Sequence, residues 1–269
     1  MMPAVKKLAD GRRFVARDSE PALLLAEDPD CSTARFDLLA GLNTEEHRRV
    51  CAAGQVRFHT NGESIFHQSA PHNGIFLIES GRVRTYYVGP SGREITLAYW
   101  TPGHFVGGPE IFGGGTHVWS GIAVGPTRTR HLDGAVLRRL MSEMPALAVR
   151  LVEGLTHKGR CYSELLQVLA TQTVEERLRQ LLQNLATLYG RADGEDHVID
   201  RHFSHEELAA MVGATRQWVT MTLGRLQKQG EIAMNGRKIV LLHRMGKATR
   251  SLDSASHEVG EKTSSSAIY

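Results

Sequence analysis

The sequence predicts an α+β fold: an N-terminal antiparallel β-roll of jelly-roll-like character, then a long helix, then a C-terminal winged helix-turn-helix. Between Gln55 and Leu132, short alternating apolar runs are separated by glycines, a pattern that indicates many short strands. After Pro145, the apolar residues recur with a helical period. Near the C-terminus, two helical patterns flank a glycine and precede an Asn-Gly pair, which is the order of a winged helix-turn-helix.

The composition is that of a globular protein, because apolar residues make up 41% and charged residues 23% of the 269-residue chain. The 32 basic and 29 acidic residues give a pI near 8.8, which permits nucleic-acid binding without requiring it. No stretch approaches the roughly 18–20 apolar residues that a membrane-spanning helix needs. No long apolar run follows Lys6 and Lys7, as it would in a secretory signal. We therefore expect a cytoplasmic protein with no membrane partner.

The three cysteines, Cys31, Cys51 and Cys161, form an odd and scattered set. This argues against a disulfide framework and fits a reducing compartment. No pair has Cys-x-x-Cys spacing, whereas a zinc finger or a cysteine-bound iron–sulfur cluster needs four closely ordered thiolates. We predict no metal site, and the sequence does not identify a cofactor.

Changes in composition along the chain predict five segments. They are a disordered arm over 1–33, an effector-sensing β-roll over 34–134, a dimerisation helix over 135–170, a winged helix-turn-helix over 171–246 and a disordered tail over 247–269. The β-roll segment is expected to begin with a helix over Ala34–Ala53. Its clearest strands are Ile75–Ile78, Arg82–Val88 and Ile95–Trp100.

Pro145 is expected to separate a short helix from a longer one that reaches about Ala170, because proline is tolerated only in the first turn of a helix. Apolar residues on the longer helix step alternately by four and three, which is the seam of a two-helix dimer. The residues predicted at the dimer interface are Val152, Leu155, Gly159, Tyr162, Leu166 and Leu169. The alternative interpretation is a helix packed on its own β-roll.

Capping signals define the helix-turn-helix. Ser204 and Glu207 form a capping box, the first helix ends at Gly213, and Thr215 caps a second helix. Asn235-Gly236 lies between two apolar runs and predicts a type I′ hairpin, the wing.

The second helix is expected to turn its apolar residues inward and its polar N-terminal end toward the DNA major groove. Arginine there can pair with guanine, and glutamine with adenine. The alternative is a solvated helix face. The predicted DNA-binding residues are Thr215, Arg216, Gln217, Thr220, Met221, Arg225, Arg237 and Lys238.

Several motifs occur in the order found in one protein family. They are Gly62–Phe66, Phe76–Val83, Thr101–Gly107 and Phe203–Ile232. From about Phe36 to Leu242, the chain therefore resembles the CRP/FNR superfamily of transcription regulators. The resemblance implies a homodimer that reads two-fold-related half-sites on double-stranded DNA, with a small-molecule effector and RNA polymerase as further partners.

Two departures from the family pattern concern the effector. Members that bind cyclic nucleotides use a glutamate for the ribose and an arginine for the phosphate. Here Gly108 stands at the glutamate position, Glu110 lies nearby, and His117 aligns best with the arginine. A cyclic phosphate needs a permanent, fork-shaped donor, which imidazole is not. We predict an effector other than cyclic AMP. The candidate pocket residues are Gly107, Gly108, Glu110, His117, Tyr162 and Ser163.

Two departures concern DNA recognition, because Gln217 stands where the family usually has glutamate and Met221 where many members have arginine. Glutamate accepts from cytosine and glutamine suits adenine, so we expect a different operator.

Two alternative functions remain. One is a haem- or redox-sensing regulator of the same fold, for which His59, His67, His72, His104 and Cys51 are possible haem donors. A cupin-like metalloenzyme would use a set such as His67, His72, Glu79 and His104. The chain has no His-x-His pair, the spacing that places two imidazoles on one side of a strand. We therefore predict a regulator and not an enzyme.

Overall fold

The computed structural model describes residues 36–242, so the predicted arm over 1–33 and tail over 247–269 lie outside the described residues. The helices are α1 Thr44–Ala53, α2 Gly134–Glu143, α3 Pro145–Thr171, α4 Val174–Tyr189, α5 His205–Val212 and α6 Arg216–Lys228. The strands are β1 Gln55–His59, β2 Ser64–Phe66, β3 Gly74–Ser80, β4 Val83–Val88, β5 Glu94–Trp100, β6 Phe105–Val106, β7 Ser120–Ala123, β8 Thr127–Asp133, β9 Gly190–Asp193, β10 Asp196–Ile199, β11 Ile232–Asn235 and β12 Lys238–Leu241. None of the helices in this range is long and apolar enough to cross a membrane.

Two antiparallel four-stranded sheets form the β-roll, with strand orders β1-β8-β3-β6 and β2-β7-β4-β5. Residues of both sheets pack together in one core, among them Phe66, Phe76, Val83 and Trp100. The predicted α+β architecture is confirmed. The three strands expected from alternation are present within one residue of their predicted starts.

The first helix is shorter than the expected Ala34–Ala53. Within the described residues, a turn containing Gly41 at φ +82° precedes α1, and Asn43 caps the helix in a capping box with Glu46. Asparagine at this position favours the start of a helix, because its side chain accepts from the Glu46 N–H, one of the N–H groups that have no partner within the first turn.

Helix α3 starts at Pro145 and has two apolar faces. Its inner face includes Leu147, Leu151 and Leu165, which are fully or almost fully buried. On the opposite side, Val152 is 61% and Leu166 67% exposed. Packing on the β-roll, the alternative to a dimer seam, therefore occupies one face of the helix. Of the predicted seam, it leaves Val152, Gly159 and Leu166 exposed, while Leu155, Tyr162 and Leu169 are partly buried.

Helices α4 to α6 pack on a third sheet of order β11-β12-β10-β9. Strands β9 and β10 were not expected, because their short sequences carry little apolar alternation. They form a hairpin whose turn contains Gly194.

The wing hairpin is present, but its turn differs from the type I′ prediction. Asn235 pairs with Lys238, so Gly236 and Arg237 are the central residues. Gly236 has φ +61°, whereas Arg237 does not have the positive φ that a type I′ turn requires at its second central residue. Glycine at the first central position is the arrangement of a type II′ turn.

A buried lysine joins α3 to the β-roll. The Nζ atom of Lys158 lies 3.3 Å from the ring centroid of Trp100 and 5.0 Å from that of Phe105. Lys158 is 8% exposed, and burial lowers its pKa to about 7 from the usual 10.5. As the pH rises from about 7 to 10.5, the folded chain has released this proton while the unfolded chain still holds it. The free energy of unfolding should therefore rise with pH between these two values.

We expect Lys158→Met to remove this pH dependence. In the unaltered chain, the free energy of unfolding should gain up to about 1.4 kcal/mol per pH unit from this group above about pH 7. Urea unfolding across this range measures the slope. Lys228→Met, which changes an exposed lysine, should keep the slope of the unaltered chain. An equal slope in Lys158→Met would show that Lys158 is not the group responsible.

Candidate DNA-binding surface and effector pocket

The helix-turn-helix brings α6 to the surface at a fixed angle to α5. Gly213 adopts φ +67° between the helices, a conformation that glycine tolerates best, and the Ala214 N–H donates to the Ala209 carbonyl over 2.9 Å. Val219 and Leu226 of α6 are fully buried. The polar N-terminal end of the helix is therefore left facing solvent, as the sequence pattern predicts.

Seven of the eight predicted DNA-binding residues are exposed, all except the half-buried Lys238. Arg216, Gln217 and Arg237 are exposed, and Met221 is 67% exposed. Arg216 and Arg237 border a groove of about 550 Å³ between the start of α6 and the wing. Phosphate or base edges can approach these cations without displacing a protein group.

The two threonines make hydrogen bonds within the motif. Thr215 caps α6 by accepting from the Trp218 N–H over 3.2 Å. The Thr220 hydroxyl donates to the Arg216 carbonyl over 2.9 Å and lies 2.7 Å from Nδ1 of His205. Sequence analysis missed His205, because a lone histidine at the start of a helix gives no signal of this contact.

Two predicted cations are paired with carboxylates. Arg225 contacts Glu175 of α4, and Glu175 also lies 2.8 Å from Arg179. Lys238 donates to Asp200 over 2.7 Å. DNA contact by Arg225 and Lys238 stays a prediction, and it requires each cation to exchange or share its carboxylate with a phosphate.

His72 and His117 lie beside Gly107 and Gly108, two of the predicted pocket residues. Their ring centroids are 4.5 Å apart, and the Phe66 ring lies 4.5 Å from that of His117. The Nδ1–H of His117 donates to the Gly107 carbonyl oxygen. His72 is 4% exposed, and neither of its ring nitrogens makes a well-aligned hydrogen bond with the described residues, although the Gly107 carbonyl is near. Sequence analysis weighed His72 only as a rival metal or haem donor.

Burial lowers the pKa of both His72 and His117, which favours the neutral form of both rings. Gly108 has φ +136°, and a Cβ atom there would lie 3.2 Å from the His72 ring. Gly108, which the resemblance aligns with the ribose-binding glutamate, is therefore bordered by an imidazole. An effector other than cyclic AMP stays a prediction.

The six predicted pocket residues do not all converge. Gly107, Gly108 and His117 lie together, and Glu110 is exposed beside them. The Tyr162 ring packs 5.4 Å from that of Trp119 in the β-roll core, where burial raises its pKa. Ser163 is exposed and donates to the Gly159 carbonyl of its own helix over 2.9 Å, so it is better described as part of the outer surface of α3.

The donors considered for haem or a cupin metal are dispersed or already engaged. His67 is exposed, His59 lies 3.0 Å from the Thr129 hydroxyl, and Glu79 pairs with Arg128 and Arg130 at 2.6 Å. Within residues 36–242, no three His, Cys, Asp or Glu side chains form a complete metal-binding set.

Two protein-family models match the β-roll and the helix-turn-helix parts of the chain. Residues 56–144 match the cyclic nucleotide-binding domain family, and residues 176–246 match the Crp-like helix-turn-helix domain family. The CRP-like cAMP-activated global transcriptional regulator of Mycobacterium tuberculosis is 26% identical over 180 residues, 67% of this chain and 80% of that protein. The cyclic AMP receptor protein of Thermus thermophilus is 27% identical over 202 residues, 73% of this chain and 88% of that protein.

Solved structures share the fold. The c-di-GMP responsive global regulator CLP of Xanthomonas campestris superposes with a TM-score of 0.66 at 20% identity, covering 74% of this chain and 99% of its own. A CooA mutant from Carboxydothermus hydrogenoformans gives 0.62 at 23% identity, covering 80% and 95%. The chain belongs to the CRP/FNR superfamily of transcription regulators, whose members compared here are regulators and not enzymes.

We expect Arg216→Ala to weaken binding to the cognate operator by about 1–3 kcal/mol and to leave binding to random DNA nearly unchanged, because a paired contact with a base edge is lost. Fluorescence anisotropy with both DNAs measures the difference. Lys228→Ala, at the exposed other end of α6, should change both affinities alike. Equal losses for Arg216→Ala on the two DNAs would instead make Arg216 a phosphate contact.

Proposed function

We propose that this chain is a sequence-specific transcription regulator that binds double-stranded DNA as a homodimer in the cytoplasm, under the control of a small-molecule effector other than cyclic AMP. The observation that carries the proposal is the open N-terminal end of α6, where Arg216 and Gln217 lie exposed beside the wing. RNA polymerase is the partner that such a regulator would contact. The three-part division into β-roll, dimerisation helix and DNA-binding domain belongs to this proposal.

The dimer is supported by the outer face of α3. Val149, Val152 and Leu166 are each more than half exposed, and no atom lies within 4 Å of a Cβ built on Gly159. A row of exposed apolar residues on a long helix is costly in water and is covered when a second copy packs along it. A glycine in the row lets the two backbones approach closely. Leu155, Tyr162 and Leu169, the remaining predicted interface residues, are partly buried along the same helix.

Effector control is supported by the connection of α3 to the DNA-binding domain. Arg177 donates to the Gln172 carbonyl at the end of α3 over 2.8 Å and to the Val212 carbonyl at the end of α5 over 2.9 Å. A shift of α3 against the β-roll would therefore move α5 and α6. In a dimer, this would change the separation of the two α6 helices toward or away from one DNA turn, about 34 Å.

The nature of the effector follows from the pocket and not from the relatives. Some relatives are named for cyclic AMP and one structural neighbour for c-di-GMP. In this chain, the resemblance aligns Gly108 and His117 with the two side chains that grip a cyclic nucleotide, and burial lowers the pKa of His117, which disfavours a positive charge there.

Selection of operators from random DNA tests the proposed function. The enriched sequence should contain two half-sites related by two-fold symmetry and separated by about one helical turn. An enriched sequence without that symmetry, or none, would contradict the proposal.

Leu166→Lys tests the dimer separately. A lysine at this exposed seam position should prevent pairing of α3 with a second copy, and affinity for the full operator should fall at least about tenfold, a loss of about 1.4 kcal/mol. Sedimentation and anisotropy measure the two effects. Gln167→Lys, at the exposed neighbouring position, should remain dimeric. A dimeric Leu166→Lys variant with unchanged affinity would remove α3 from the interface.

A further inference from the structure

We propose that Lys158 makes the contact between α3 and the β-roll sensitive to pH, so that the proton is a second effector of operator binding. With a neutral amine, α3 stays packed on the β-roll. With an ammonium ion, the side chain turns toward water and the contact loosens. The part that concerns operator binding rests on the proposed function above.

Lys158 interrupts a row of uncharged side chains on the inner face of α3. The buried residues of this face recur at steps of three and four and are Leu147, Leu151, Gly154, Lys158, Cys161, Leu165 and Val168. Lysine is almost never fully buried in proteins unless it is paired. A leucine or methionine at this place would pack without that cost, so the lysine indicates a role besides packing.

The amine of Lys158 lies among aromatic rings. Its Nζ atom lies 3.3 Å from the ring centroid of Trp100 in β5 and 5.0 Å from that of Phe105 in β6. Ring faces attract a cation, but they offset only part of the hydration that a buried ammonium ion loses. Within residues 36–242, the one titratable neighbour that raises the pKa of Lys158 is the Cys161 thiol, and burial outweighs it. The charged form is therefore poorly compensated while α3 is packed.

The other titratable groups at this contact do not supply a negative charge either. His157 and Tyr162 lie on α3, and His104 precedes β6 with its ring centroid 5.2 Å from that of His157. Burial is the main cause that lowers the pKa of His157, and the charges of Lys158 and Arg160 lower it further. Burial also raises the pKa of Tyr162. Each of these shifts favours a neutral side chain.

Close packing prevents water from reaching the amine in place. Gly154 lies one turn before Lys158, and a Cβ atom built there would lie 2.6 Å from ring atoms of both Phe36 and Phe105. The Trp100 ring is held on the β-roll, because its Nε1–H donates to the Thr85 hydroxyl over 3.1 Å. Hydration of an ammonium ion therefore requires the lysine to leave these rings. The proton binds better to the loosened arrangement and shifts the equilibrium toward it.

The end of α3 connects this equilibrium to the DNA-binding domain. Arg177 donates to the Gln172 carbonyl at the end of α3 and to the Val212 carbonyl at the end of α5. A loosened α3 would thus alter the position of α5 and of the recognition helix that follows it. By linkage, the proton and the operator must change each other's affinity by the same factor.

Operator affinity measured by fluorescence anisotropy between about pH 6 and pH 9, at constant ionic strength, tests the proposal. The unaltered chain should change affinity by at least about fivefold. Lys158→Met keeps the length without the charge, and Lys158→Arg keeps the charge at every pH. Both should lose this dependence. The unaltered chain should approach the affinity of Lys158→Arg at low pH and that of Lys158→Met at high pH.

Two further variants identify the titrating group. Lys228→Met, at an exposed position of α6, and His157→Gln should both keep the pH dependence of the unaltered chain. Random DNA, measured at each pH, reports the contribution of other groups on the DNA-binding surface. Equal affinities of Lys158→Met and Lys158→Arg, or an unchanged pH dependence in Lys158→Met, would overturn the proposal. Loss of the dependence in His157→Gln alone would assign it to His157 and also overturn the proposal.

Amide hydrogen exchange along α3 without DNA tests the loosening separately. With labelling times scaled for the intrinsic effect of pH, residues 145–171 should exchange at least about threefold faster at low than at high pH in the unaltered chain, and equally in Lys158→Met. Should Lys158→Arg fail to fold, this comparison decides. Exchange that does not depend on pH would overturn the switch. A pH-dependent α3 in a chain that binds no operator would contradict the proposed function and not the switch.

Discussion

Close packing between α3 and the β-roll is the interaction on which the rest of the structure depends. Gly154 allows it, because any larger side chain there would meet the rings of Phe36 and Phe105 at 2.6 Å. With its inner face buried in this way, α3 can present only its opposite face, with Val152 and Leu166, to a second copy. One helix therefore contacts the sensing domain and carries the proposed dimer seam. We expect a shift of the β-roll contacts on its inner face to change the position of its outer face.

Charged side chains tie the DNA-binding domain to this helix and join the helices of that domain to one another. Arg177, 6% exposed, bonds carbonyls at the ends of α3 and α5. Glu175 of α4 joins Arg179 and the recognition-helix residue Arg225, and Arg179 reaches Glu231 over 2.8 Å. Hydrogen bonds to charged groups are stronger than neutral ones and restrict direction. The recognition helix is thus expected to move with α4 as one body.

Local patterns in the sequence were sufficient for most of the fold. The β-roll strands follow from alternation, the start of α3 from Pro145, and the helix-turn-helix from Ser204, Gly213 and Thr215. What the sequence could not supply depends on contacts between distant residues. The burial of His72 results from its packing against the segment 107–117, and the pairing of Arg225 with Glu175 joins helices that are far apart in the chain. The hairpin of β9 and β10 was missed because its stability comes from pairing with β12.

Cysteine cross-linking across α3 tests the central claim most directly. In a parallel helix pair, a residue on the seam lies opposite its own copy. Leu166→Cys should therefore form a disulfide-linked dimer under mild oxidation, in higher yield when operator DNA is present. Gln167→Cys and the unaltered chain, which reports the background from the native cysteines, should remain uncross-linked. Equal cross-linking of all three chains, or none in any of them, would contradict a regulator whose sensing and DNA binding meet at this helix.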